Sequence, residues 1–280
     1  MRSPIVKSHT VRGAAAIQLH VREWGNARGI PLLFIHGWSQ SHLCWVRQYE
    51  SELADEFRLV AFDLRGHGMS EAPVGDEFYT GDVWALDLAA VIAALSIDRP
   101  ILIGWSYGGY VICDYVRIFG DANLRGIDFI AAGVALGPKA FGSLIGPGFL
   151  ENAPGTCAPD LATNIAAARR FVRTCLPTAS AEDLESSLAA MMVVPREVRA
   201  ALIQRELDFT SVLEAISVPV LVSHSRADTV VLPRMSETIL EHCKSASASW
   251  YDGVGHAPFL EAPARFNDEL AVFARKAAAR

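Results

Sequence analysis

Ser106 stands at the centre of Gly104-Trp105-Ser106-Tyr107-Gly108, directly after the apolar run at residues 100–103 and ahead of a helix-like stretch. Strand, sharp turn and helix in that order form a nucleophile elbow, which holds a serine hydroxyl out beyond the sheet edge. Glycines on either side permit a close approach of strand and helix that a Cβ would block, and Gly109 adds a further small residue. A serine hydroxyl is a weak nucleophile near neutral pH. It needs a general base within hydrogen-bond reach and a carboxylate to orient that base. The elbow pattern places both on loops after later strands, in the order serine, acid, histidine. Asp228 follows the strand predicted over residues 219–223, in Ser223-His224-Ser225-Arg226-Ala227-Asp228. His256 follows the last predicted strand, in Gly253-Val254-Gly255-His256-Ala257-Pro258-Phe259. The chemistry open to such a set is nucleophilic acyl transfer through an acyl-enzyme.

Acyl transfer also needs two backbone N–H donors aimed at the developing oxyanion. Tyr107, directly after the serine, supplies one. Trp38 supplies the other: His36-Gly37-Trp38 follows the strand at residues 32–35, and Gly37 allows a sharp bend. The Trp38 side chain is expected on the pocket wall and Trp105 near the acyl pocket. Phe141, Met191 and Met192, with Leu144 and Phe149, offer an apolar acyl channel or simply pack their segment onto the core.

The elements that must position these residues alternate along the chain. Strands are predicted at residues 17–21, 32–35, 58–62, 100–103, 127–132, 219–223 and 248–251. A helix with Val83, Leu86, Val91 and Leu95 on one face begins at a Thr80 cap. Further helices are predicted over Tyr107–Phe119, residues 233–243 and Pro263–Ala278. This alternation predicts an α/β fold, a mostly parallel central sheet flanked by helices. Between residues 137 and 211 strand signals vanish, Gly and Pro cluster at 142–159, and helices are expected at Leu161–Cys175, 181–191 and 196–208. The chain therefore reads as a core of residues 1–136 and 212–280 with an inserted helical lid at 137–211, too long for an ordinary loop.

With 280 residues, 51% hydrophobic and 20% charged, the chain can bury one large core and is not disordered. Its net charge of −6 carries no basic block, which argues against nucleic acid as a partner. Five scattered cysteines without C-x-x-C spacing read as core hydrophobes in a reducing compartment, not a disulfide frame or zinc site. Residues 1–7 show no long apolar run and no stretch approaches a membrane span, so a soluble, cytoplasmic protein is expected.

Taken together, His36-Gly37-Trp38, Asp63-Leu64-Arg65-Gly66-His67-Gly68-Met69-Ser70, the elbow and Gly255-His256-Ala257-Pro258-Phe259 resemble the α/β-hydrolase superfamily with a helical lid. Within it, His-Gly-Trp with Gly-Trp-Ser-x-Gly-Gly and His-Ala-Pro-Phe resembles the pimeloyl carrier-protein methyl ester esterases. Residues 255–266 also resemble N-acyl-homoserine lactonases. Perhydrolase-type non-haem haloperoxidases share His-Gly-Trp but place Pro next, where this chain has Ser39. Some relatives carry the acid after the strand at 127–132; here that strand runs on as Ala132-Gly133-Val134-Ala135-Leu136, with no carboxylate, so Asp228 is the acid. Where many relatives have Gly before the acid, this chain has Ser225.

The resulting expectation is a serine hydrolase cleaving a small-molecule carboxylic ester or lactone, with no metal and no organic cofactor. Perhydrolysis or carbon–carbon bond hydrolysis on the same triad are the enzymatic alternatives, and a small-molecule binding module is the non-enzymatic one. His36, His67 and His224 read as structural, Asp252 as a turn residue. Asp63 and Arg65 are expected to fix loop geometry through hydrogen bonds and an ion pair. Arg169 and Arg173, with Arg170 beside them, read as a solvated helix face; the alternative is a contact for an acidic acyl-carrier protein or a substrate carboxylate.

Overall fold

The computed structural model describes residues 5–279. Residues 1–4, the head of the segment without an apolar leader run, lie outside the described residues. One sheet contains β1 (Ile5–Arg12), β2 (Gln18–Gly25), β3 (Pro31–Ile35), β4 (Arg58–Phe62), β5 (Ile101–Trp105), β6 (Gly126–Ile130), β7 (Val220–Ser225) and β8 (Ala246–Tyr251). Their order across the sheet is β1-β2-β4-β3-β5-β6-β7-β8. β2 pairs antiparallel with β1 and β4, and every other neighbouring pair is parallel. The central strands β3, β5, β6 and β7 are buried along their whole length, which is why β3 and β5 read as apolar runs rather than alternating ones, while β6 buries Asp128 and β7 buries Ser223, His224 and Ser225. Helices flank this sheet, as expected. None of the described helices is long and apolar enough to cross a membrane.

Three local expectations change. β1 carries no sequence signal because it is an edge strand: of the residues with described burial, only Val11 is buried. Thr80 does occupy the position before helix Gly81–Ala94, but its side chain makes no capping bond. The helix predicted to reach residue 208 stops at Ile203. Beyond it Leu207–Asp208 pairs antiparallel with Ala135–Leu136, tying together the two ends of the helical segment that holds Leu161–Cys175, Ala181–Val193 and Arg196–Ile203.

Asp128, in the middle of β6, is fully buried; Ser223 Oγ–H donates to its Oδ1 at 3.1 Å, and Oδ2 has no partner among the described residues. Burial first, with the nearby Glu269 charge, pushes its carboxyl up to about 8 despite the Ser223 bond. The folded chain thus keeps a proton that the unfolded chain releases, so this group costs stability as pH rises from about 4 to about 8 and no further above that. Asp128→Asn is expected to remove the slope. Urea unfolding at pH 5 and pH 8 should show the variant gaining on the wild type by on the order of 1 kcal/mol per pH unit. Parallel pH profiles for the two proteins would refute it.

Candidate active site

Ser106 reaches its position because β5 ends at Trp105 and helix Tyr107–Phe119 starts one residue past the serine. Its backbone sits at φ 53° and ψ −112°, a region that residues other than glycine rarely hold. The neighbourhood enforces it. Ser106 N–H donates to Ile130 O at 3.0 Å, and Ser106 O accepts from Gly109 and Gly133 N–H at 3.0 and 2.9 Å. A Cβ on Gly104 would lie 2.8 Å from the Gly108 carbonyl oxygen, and one on Gly108 would collide with the Ile35 carbonyl. Space rather than torsion requires glycine at both positions.

His256 is held from three directions. Its Nδ1–H donates to Asp228 Oδ2 at 2.6 Å, its backbone N–H to Cys175 O at 2.8 Å, and its carbonyl accepts from Trp105 Nε1–H at 2.9 Å. Nδ1 is occupied by that bond, so Nε2 is the free nitrogen, and His256 and Ser106 line the same cavity. No hydrogen bond between Ser106 Oγ and His256 is formed; such bonds often tighten only with substrate in place. Asp228 lies behind His256, fully buried, with Oδ1 accepting from Val230 and Val231 N–H at 2.8 and 3.2 Å. Burial alone would raise its carboxyl, but the His256 charge, then the bonds from His224 and His256, hold it well below the usual carboxylate range.

His224 is buried against the acid. Its Nε2–H is shared between Asp228 Oδ2 at 3.0 Å and Val231 O at 2.9 Å, while Nδ1 accepts from Ser236 Oγ–H at 2.6 Å. Two imidazoles therefore meet one carboxylate oxygen. The signal in the sequence was a histidine at the buried end of a strand, four residues before the acid.

The loop bearing Trp38 is braced by two imidazoles. Trp38 and Ser39 are the central residues of a turn closed by Gln40 N–H on Gly37 O at 3.3 Å, with Ser39 at φ 59°. His36 Nδ1–H donates to Gly37 O and Nε2 accepts from Leu64 N–H, at 2.8 and 3.0 Å. His67 Nδ1–H donates to Arg65 O and Nε2 accepts from Ser39 N–H, at 2.9 and 3.2 Å. Burial lowers His36 to about 4 and His67 to about 3, so both stay neutral near pH 7 and keep these donor and acceptor roles. A Cβ on Gly37 would come within 3.2 Å of Ser106 Cβ, which brings this loop against the elbow. Neither Trp38 nor Tyr107 N–H has an acceptor among the described residues, and both residues line the cavity.

Asp63 and Arg65 act separately. Asp63 accepts from His42 N–H and Nδ1 and from Met69 N–H at 2.7, 2.9 and 2.9 Å. The ion pair of Arg65 is with Asp87, two bonds of 2.7 Å, both side chains buried. Among the described residues His20, His42 and Asp63 bring three potential metal-ligand atoms within 4.8 Å of one another, but both Asp63 oxygens already accept hydrogen bonds.

The cavity is about 50 Å³, and apart from His256 it carries no titratable side chain other than Tyr107, Tyr110 and Cys175. Trp38 meets Phe149 and Phe171 edge to face, with centroids 5.5 and 5.4 Å apart, and Trp105 is among the lining residues. Phe149 lines the cavity as well, but Phe141, Leu144, Met191 and Met192 do not. Phe141 is 42% exposed, because the turn from Gly137 directs Ile145 to the cavity in its place. Met191 is fully buried in the core cluster and Met192 packs partly buried against it. Their helix presents Ser187 to the cavity, one turn earlier. Arg169, Arg170 and Arg173 are exposed and none lines the cavity.

A strained serine between strand and helix, a buried aspartate–histidine pair after the later strands and a mostly parallel sheet define one class of protein. The chain belongs to the alpha/beta hydrolase family, whose profile matches residues 32–269. Among solved structures it is similar to a candidate aryl esterase from Burkholderia cenocepacia, 32% identical, TM-score 0.92, covering 98% of this chain and 100% of that one. It is also similar to the esterase RhEst1 from Rhodococcus sp. ECU1013, 34% identical, TM-score 0.89, covering 96% and 98%. A non-heme chloroperoxidase of Streptomyces lividans is 28% identical over 288 residues, 95% of this chain and 99% of that one.

Proposed function

We propose that this chain is a serine hydrolase cleaving small, neutral carboxylic esters through an acyl-enzyme on Ser106. The observation that carries the reading is the free Nε2 of an Asp228-bound His256 on the same cavity as Ser106 and two unengaged backbone N–H groups. Ser106 Oγ attacks the acyl carbon as His256 Nε2 takes its proton. Asp228 keeps the proton of His256 on Nδ1 and stabilises the imidazolium that forms. Trp38 and Tyr107 N–H bind the oxyanion, and His256 then protonates the departing alcohol. Water repeats the cycle on the acyl-enzyme, with His256 again as base.

Esterase relatives above 30% identity support the ester as substrate. The absence of Lys, Arg, Asp and Glu from the described cavity lining favours a neutral acyl group over a carboxylate-bearing one. It likewise gives the exposed arginines of helix Leu161–Cys175 no part in holding the acyl chain, so an acyl-carrier protein is not required. Perhydrolysis is the second reading, favoured by the chloroperoxidase relative. Against it, position 39 sits at φ 59°, which the proline of the His-Gly-Trp-Pro pattern cannot adopt. The helical segment between residues 137 and 211 is the lid over this site in our reading.

A fluorophosphonate should add its mass at Ser106 alone, read by peptide mass spectrometry, and should abolish turnover of p-nitrophenyl esters. An unlabelled protein would point instead to a small-molecule binding module that keeps the pocket.

A further inference from the structure

Two hollows meet at Gln40 and Ser187. Both residues line the cavity at Ser106, both also line an outer hollow of about 340 Å³, and no other residue is common to the two linings. Gln40 Nε2–H donates to Ser187 O at 3.2 Å, so a hydrogen bond between these two residues joins the two sides of this partition.

The sides belong to different parts of the chain. Gln40 closes the turn that carries Trp38, and Ser187 lies on helix Ala181–Val193. The buried stripe of that helix is Asp183, Ser187 and Met191, four residues apart, and only the last is apolar. Asp183 is gripped by Arg47 Nη2 at 3.1 and 3.0 Å, and the Ser187 carbonyl by Gln40. Leu184 and Leu188 pack against the core only partly buried. At Asp183 and Ser187, along the partition itself, the helix is fastened by polar contacts, for which water can substitute when the two sides part. An apolar seam would resist opening more strongly.

We propose that Gln40 and Ser187 are the door between the outer hollow and Ser106, and that Gln40 sets the size of ester that reaches the serine. This rests on the serine hydrolase reading above. A small ester passes with helix Ala181–Val193 in place, while a bulky one needs the Gln40–Ser187 bond broken and the Arg47–Asp183 contact loosened.

The test compares the labelling rate of Ser106 by a small ethyl fluorophosphonate and by one carrying a biphenyl group. Gln40→Ala opens the partition from the core side. Because Gln40 lies two residues from an oxyanion donor, Arg47→Ala loosens the helix without touching that loop, and Ser187→Trp plugs the door from the helix side. The bulky-to-small rate ratio should rise about tenfold in Gln40→Ala and Arg47→Ala and fall about tenfold in Ser187→Trp. An unchanged ratio in all three variants, with wild-type Ser106 labelling normally, overturns the door and leaves the hydrolase reading intact. Failure of both probes to label Ser106 in every protein overturns the hydrolase reading and the door with it.

Discussion

Ser106→Ala is expected to lower kcat for a short p-nitrophenyl ester by about 10⁴-fold or more, with the fold unchanged. The expectation has two halves. Without Oγ no acyl-enzyme forms, and what remains is water attack assisted by the Trp38 and Tyr107 N–H groups, a residual effect far below that of the intact set. Stability should hold because Ser106, although it precedes helix Tyr107–Phe119, makes no side-chain capping bond that alanine would lose. The strained φ of 53° is held by backbone bonds to Ile130, Gly109 and Gly133, which alanine keeps. Thermal unfolding should therefore move by only a few degrees while turnover collapses. Near-normal turnover in the variant would end the assignment of Ser106 as nucleophile.

The second large effect is expected from Asp228→Asn, a loss of about 10⁴-fold in kcat with little change in KM. The surroundings of Asp228 decide how an asparagine would sit. Oδ1 accepts from the N–H groups of Val230 and Val231, and an amide NH₂ turned toward them would set donors against donors. The amide oxygen must stay there, which aims its NH₂ at the position Oδ2 now holds. In that position the carboxylate accepts from His256 Nδ1 and His224 Nε2. An NH₂ group there forces the His256 proton from Nδ1 to Nε2, the nitrogen that has to accept from Ser106. His224 has its own conflict, since switching tautomer to accommodate the amide would leave Val231 O without its donor. Steady-state kinetics on the purified variant give the answer, and a loss smaller than about tenfold would show that Asp228 does not set the tautomer.

Much of the candidate site could be read along the chain. The elbow is a local object: its glycines, its apolar strand and the helix after it lie within a dozen residues, and backbone sterics act at that range. Asp228 and His256 are legible as loop positions just beyond strands, the first after the buried β7 and the second after the edge strand β8, of which only Tyr251 is buried. The central strands were legible because they are mostly apolar, which follows from burial on both faces, with Asp128 the charged-type exception in β6. β1 was not, since an edge strand with one described buried residue has no pattern to show. The pocket lining is the part least legible in the sequence. Phe141, Met191 and Met192 are as apolar as Ile145 and Phe171, and composition alone does not say which of them turns toward the cavity.

By itself, then, the sequence determined the fold family and the chain order of the candidate serine, acid and histidine, and it singled out Trp38 and Tyr107 as candidate amide donors. These follow from short-range backbone constraints and from strand burial, both of which leave a mark on neighbouring residues. Tertiary structure alone decided that Trp105 holds the His256 carbonyl across 151 positions of sequence and that Gln40 meets Ser187 across 147. It also decided that Asp228 serves His224 as well as His256 and that Arg65 pairs with Asp87. Such contacts depend on which face of one element packs against which loop of another. That choice is made by the whole core at once, and no local run of residues records it.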